Sequence, residues 1–179
     1  MTLNKTIQDA LNEHMNQEFY ASYLYLSMSA YCEEINLPGF AHWMRTQSQE
    51  EYSHAMKMFG FIVDQKGRVI LHPIDQPSIE FHSPLDLMQQ TLEHERHVTR
   101  LINRLYELAV RENDYPTQVH LQWFITEQVE EEKVASNIVE QLKMIGERGD
   151  ALLLLDRELA KRGSEMANGS MGLISEPSL

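Results

Sequence analysis

The chain has 179 residues, 42% of them hydrophobic and 23% charged, which makes one domain with room for a substantial core. Its net charge of −12, from 27 acids against 15 Lys and Arg, argues against a bare phosphate-binding surface and suits cationic ligands. The single cysteine, Cys32, leaves no internal disulfide, the N-terminus carries no apolar signal region, and no apolar run approaches the ~20 residues of a membrane span, so a cytoplasmic protein is expected.

The first predicted helix fills the stretch before Leu37-Pro38-Gly39. Alternating three-and-four spacing places Leu11, Met15, Glu18, Ser22, Tyr25 and Ser29 on one stripe of it. The second starts at Leu37-Pro38, where proline suits a first turn, and its stripe is Phe40, Met44, Gln47, Glu51, His54 and Met58. A connection from Lys66 to Pro84 follows, in which Arg68-Val69-Ile70-Leu71 reads as a short strand. Ser83-Pro84 with Asp86 opens the third helix, whose stripe is Leu85, Met88, Leu92, Glu95, Thr99, Ile102 and Tyr106. Beyond Asn113-Asp114-Tyr115-Pro116 the fourth carries Leu121, Phe124, Gln128, Glu131, Ala135, Ile138 and Leu142. After Gly146 to Gly149, Ala151 to Lys161 reads as a short fifth helix whose apolar run Leu152 to Leu155 suits burial between subunits. Residues 163–179, rich in Gly, Ser, Asn and Pro, read as a flexible tail on a domain spanning 1–162. The sequon at Asn168-Gly169-Ser170 falls in that tail and reads as chance.

Four helical stretches of roughly 27 to 30 residues, against an average of ~11, joined by two short turns, make two antiparallel hairpins. A helix of that length is about 42 Å long. The middle connection, about 17 residues, reaches about 56 Å when extended, so it can cross the whole bundle and leave the second and third helices parallel. The expected fold is all-α: a four-helix bundle with one long crossover plus a short fifth C-terminal helix.

Each of the four stripes is broken near its middle by a glutamate. Counted from Asn36, Glu18 is 18 residues away, Glu51 is 15 and His54 is 18; counted from Tyr115, Glu95 is 20 away and Glu131 is 16. With the second and third helices parallel, all four acids meet in one layer. Buried carboxylates without cations repel one another and lose their hydration at several kcal/mol each. Two divalent ions balance four negative charges, and this explains why Glu51 and His54 point inward.

With those residues in view, the chain from about Leu11 to Lys161 resembles a bacterial non-haem ferritin. The resemblance rests on Glu18, on Q-E-E-Y-S-H-A at 49–55, on Glu95, and on D-Y-P-T-Q-V-H-L-Q-W-F-I-T-E-Q-V-E-E-E-K at 114–133. It implies a ferroxidase centre in which Glu18, Glu51 and His54 hold a first iron, and Glu51 bridges to a second held by Glu95 and Glu131, with Gln128 behind them. It also implies that Tyr25 is an electron donor beside the centre. A third iron site is implied at Glu50, Glu127 and Glu130, with Glu131 shared. The implied activity is oxidation of Fe(II) by O2 or H2O2, with ferric mineral stored inside a homo-oligomeric cage of 24 subunits, without nucleic-acid or membrane partners.

One departure from the wider di-iron pattern bears on chemistry. The fourth helix offers Gln128-x-x-Glu131 where that pattern has Glu-x-x-His, so the second metal has oxygen ligands alone. Hard oxygen ligands suit iron that is oxidised and passes through. A haem-containing bacterioferritin is the first alternative, but Tyr52 stands where that family has its haem-ligating methionine, so no haem is expected. A DNA-protecting mini-ferritin is the second, and the tail G-S-E-M-A-N-G-S-M-G-L-I-S-E-P-S-L lacks its basic character. A di-iron oxygenase would need a pocket for an organic substrate. His94-Glu95-Arg96-His97 is one residue too short for a zinc-protease motif. His42, His72, His82 and His120 read as surface residues or neighbours of the ligands, and Trp123 as packing.

Overall fold

Local chemistry marks where the helices begin. Asn4, Ser83 and Asp114 each accept a hydrogen bond from a backbone N–H of the following turn, at 2.8, 3.0 and 3.0 Å, which satisfies donors that a helix start leaves unpaired. In the computed structural model, which describes residues 3–162, the helices are α1 (Lys5–Glu34), α2 (Pro38–Asp64), α3 (Pro84–Arg111), α4 (Tyr115–Ile145) and α5 (Gly149–Leu159). The tail expected over 163–179 and its sequon lie outside the described residues. No helix among the described residues is long and apolar enough to cross a membrane.

The ends of α1, α2 and α3 share one device. Asn36, Lys66 and Asn113 take positive φ of 59°, 57° and 54°. The next residue then donates to the carbonyl five back: Leu37 to Cys32, Gly67 to Ile62 and Asp114 to Ala109, at 2.8–2.9 Å. After α1 and α3 this closure reverses the chain tightly enough to start the partner helix within a few residues, and after α2 it turns the chain into the crossover.

The crossover, residues 65–83, runs along α1. Arg68 N–H donates to Gln8 Oε1, Asn12 bridges Arg68 O and Ile70 N–H, and Ser27 reaches Ser78 O. Those anchors span about 28 Å of helix. Leu3 N–H bonds Gln65 O at one end, and Phe81 meets the Tyr31 ring at the other. The start of α3 is thereby returned to the end where α2 begins, and α2 and α3 run parallel.

The strand expected at Arg68-Val69-Ile70-Leu71 is not there; the described residues contain no strand. Its backbone groups find Gln8 and Asn12 side chains instead of a second extended chain. The fifth helix starts and ends two residues earlier than expected. Of its apolar run, Leu155 is buried within the chain whereas Leu153 and Leu154 are exposed.

α5 packs on the start of α2. Phe40 N–H donates to Asp156 Oδ1 at 2.9 Å, and a Cβ on Gly39 would lie 1.7 Å from the Asp156 carbonyl oxygen, so only glycine fits there. Around this scaffold the apolar core forms two clusters. One includes Tyr25, Met28, Phe40, Met44 and Met88; the other includes Leu11, Met15, Met58, Ile102 and Phe124. A polar layer separates them.

Candidate metal centre

Each long helix supplies one carboxylate to that layer: Glu18 from α1, Glu51 from α2, Glu95 from α3 and Glu131 from α4, with His54 one turn beyond Glu51. None of the five is more than 7% exposed. Ligand-type atoms of Glu18, Glu51 and His54 lie within 4.8 Å of one another. His54 Nδ1 is 3.1 Å from Glu51 Oε2.

Two buried glutamines hold the other acids. Gln47 Nε2 donates to Glu51 Oε1 at 3.0 Å and to Glu131 Oε2 at 2.8 Å, so one amide spans two carboxylates. Gln128 Nε2 donates to Glu95 Oε2 at 3.1 Å and to the Glu95 carbonyl. The Tyr25 hydroxyl donates to Glu95 Oε1.

The electrostatics follow from burial. Desolvation first, and then neighbouring carboxylates, push Glu51 and Glu95 up to about 8 and Glu131 up to about 7. Burial alone would raise Glu18 as well, but contact with His14 and the proximity of His54 hold it below the usual carboxylate value. Burial would lower His54; its hydrogen bond to Glu51 and the surrounding acids win, and raise it to about 9. Burial and then Glu95 push the Tyr25 phenol well above its ordinary value. The layer therefore favours protonated carboxyl groups near neutral pH.

One acceptor stays unmatched. Glu18 Oε2 is buried without a hydrogen-bond partner, a costly state that a cation in the layer would relieve. Its other oxygen lies 2.8 Å from His14 Nε2, yet neither ring nitrogen of His14 has a well-directed hydrogen bond.

His14 lies beside the site although it is outside the stripes that mark it in sequence. It is 3% exposed, lies off the apolar stripe, and its signal is the four-residue step to Glu18 on the same face. Gln47 lies on the α2 stripe four residues before Glu51, a spacing that places an amide beside an acid.

The remaining candidates divide. His94 is largely buried, its ring packs edge-on to Tyr25 at 5.8 Å, and burial lowers it to about 4. Trp123 packs edge-on against His54 at 5.2 Å, with Lys57 Nζ 3.7 Å over its ring. His120 stacks on Phe61 at 4.0 Å, whereas His72 and His82 are exposed. Glu50 lies outside the layer, half-buried; burial raises its carboxyl, Arg162 and His54 oppose this, and the nearby Glu127 and Glu130 reinforce it. Arg162 Nη2 sits 2.5 Å from Glu50 Oε2.

Known proteins share this arrangement of helices. The ferritin-like domain family matches residues 8–145. A bacterial non-heme ferritin from Bacteroides fragilis strain 638R is 40% identical over 160 residues, covering 89% of this chain and 99% of that one. Another, from Escherichia coli O6:H1, is 38% identical over 152 residues, or 85% and 92% of the two chains. Among solved structures, an open-pore ferritin from the hyperthermophilic archaeon Archaeoglobus fulgidus superposes with a TM-score of 0.89 at 48% identity, covering 90% of this chain and 99% of that one.

Proposed function

The chain belongs to the ferritin family, and on that premise we propose that it stores iron as a ferroxidase, oxidising Fe(II) to Fe(III) with O2 or H2O2 and holding the ferric mineral inside a cage of 24 subunits. The observation that carries this reading is the buried layer itself: one glutamate from each of four helices, with His54, between two apolar clusters. An arrangement so costly without cations is well matched to two divalent ions. The unpartnered Glu18 Oε2 supports the fit.

In this reading Glu18, Glu51 and His54 hold one Fe(II), and Glu51 is shared with a second held by Glu95 and Glu131. Gln47 and Gln128 fix the direction of the carboxylate oxygens through the hydrogen bonds described above. Two Fe(II) supply the two electrons that reduce O2 to H2O2, or H2O2 to water. The phenol of Tyr25 is one hydrogen bond from the Glu95 carboxylate, so an electron can leave the ring as its proton moves. Glu50, Glu127 and Glu130, with Glu131, form a third iron position on the way out. The oxygen-rich donors around the second ion favour iron as a substrate that moves on.

Exposed apolar side chains support assembly: Tyr23 and Leu26 on α1, Ile74 and Ile79 on the crossover, and Leu153 and Leu154 on α5. The deciding experiment mixes Fe(II) with the metal-free assembled protein in air at rising ratios. A fast oxidation phase that saturates at two Fe(II) per subunit is the expected result; an assembled protein without such a phase overturns the reading.

A further inference from the structure

Arg162, just past α5, makes four contacts with one helix. Its Nη2 meets Glu50 Oε2 at 2.5 Å, Nη1 donates to Gln47 Oε1 at 2.8 Å, the guanidinium lies 4.5 Å over the Trp43 ring, and its carbonyl oxygen is 2.8 Å from His42 Nε2. All four partners lie on α2. A planar fork held on two prongs and stacked on an aromatic face is the arrangement that distinguishes arginine from lysine.

We propose that Arg162 is a displaceable counter-cation built into the Glu50 site, occupying the place of the ion that Glu50 would bind, so that metal reaches Glu50 only when the guanidinium swings aside. The inference rests on the third iron position in the reading above and adds the residue that controls its occupancy. Glu50 is half-buried among the acids of α4: Glu127 and Glu130 lie near it, and Glu131 lies deeper on the same helix. Without a cation this corner is crowded with like charge. Arg162 and a metal ion supply the same positive charge, and an ion drawn onto the oxygen that Arg162 holds would meet the guanidinium at contact distance, where like charges repel strongly in a half-buried site.

The second prong gives the contact a further consequence. Arg162 donates to Gln47 Oε1, which commits the amide nitrogen of Gln47 to Glu51 and Glu131. The end of α5 is thus one side chain away from the two-metal layer. Arg162 touches neither set of central carboxylates and is a positioning residue.

The test uses Zn(II), which cannot be oxidised, titrated calorimetrically into the metal-free assembled protein. Wild type should show two tight events per subunit and a weaker third. Arg162→Ala should tighten the third about tenfold, the factor that corresponds to ~1.4 kcal/mol, at the low end for a charge-assisted hydrogen bond. Arg162→Lys, which can reach Glu50 or Gln47 but not both, should tighten it about threefold and guards against failed folding of the alanine variant. Glu50→Gln should remove the third event in either background. A third event unchanged or weakened in both arginine variants overturns this inference and leaves the two-metal centre standing. Absence of the first two events in wild type instead overturns the two-metal reading.

Discussion

Glu51 meets His54 directly, accepts from Gln47, and feels the charges of Glu18 and Glu131. As the one proposed ligand shared by both irons, its loss should cost more than the roughly 10–100-fold typical of losing a group that only orients a ligand. Glu51→Ala should therefore abolish the fast phase in rapid-mixing oxidation, while His54→Ala slows it. Thermal unfolding of the metal-free Glu51→Ala protein should match or exceed wild type, because removing this acid ends its own desolvation cost and its repulsion with Glu18 and Glu131, which offsets part of the cavity cost. Retention of the wild-type fast phase would show that the centre is drawn wrongly. The same charges set a pH dependence. Glu51, Glu95 and Glu131 rise to about 8, 8 and 7 from a usual 4.5, and His54 to about 9 from 6.5. Across that window the folded metal-free chain holds more protons than the unfolded one, so stability falls as pH climbs from 5 to 9. Glu18, held low, acts oppositely on the acid side, as do His94 and His120, lowered to about 4 from 6.5, and the four raised groups outweigh them. Unfolding temperatures measured with and without Zn(II) should diverge as pH rises, and a metal-free protein that gains stability up to pH 9 contradicts the assignment. The four glutamates could be read from sequence because each interrupts an apolar stripe at a matching distance from a turn. Arg162 could not, since its role depends on where α5 docks and no local pattern encodes that.

The helices and their turns were legible because their signals are local: a capping side chain and a proline in the first turn. The crossover was legible in length and not in detail. Val69 and Ile70 favour a strand by propensity, but a strand needs a partner edge, and α1 presents amide side chains to this segment instead. The docking of α5 is closest at Gly39. Gly39→Ala would press a methyl group into the Asp156 carbonyl, and overpacking of this kind costs about 1–3 kcal/mol. Hydrogen exchange should then show faster exchange confined to α5 and the first turn of α2, together with loss of the Phe40–Asp156 bond. Exchange unchanged in α5 would mean that the helix is held elsewhere.

At the scale of the whole molecule, the exposed apolar side chains on α1, the crossover and α5 are the surfaces that the proposed cage, much larger than the 20.9 kDa chain, would cover. Sedimentation under native conditions should give a hollow particle of several hundred kilodaltons, and a monomer alone would refute the cage. The division of the core by a polar layer has a separate consequence, for alignment. Long helices with repeating apolar stripes can in principle slide past one another by a turn, about 5.4 Å, while still packing Leu and Met against Leu and Met. Here a slip of any one helix would carry its glutamate out of the company of Gln47, Gln128 and Tyr25 and strand it among Met15, Met58 or Met88. The layer that weakens the metal-free bundle thus also works as a key that admits one register of four helices, so the alignment the chemistry requires is chosen before any metal arrives.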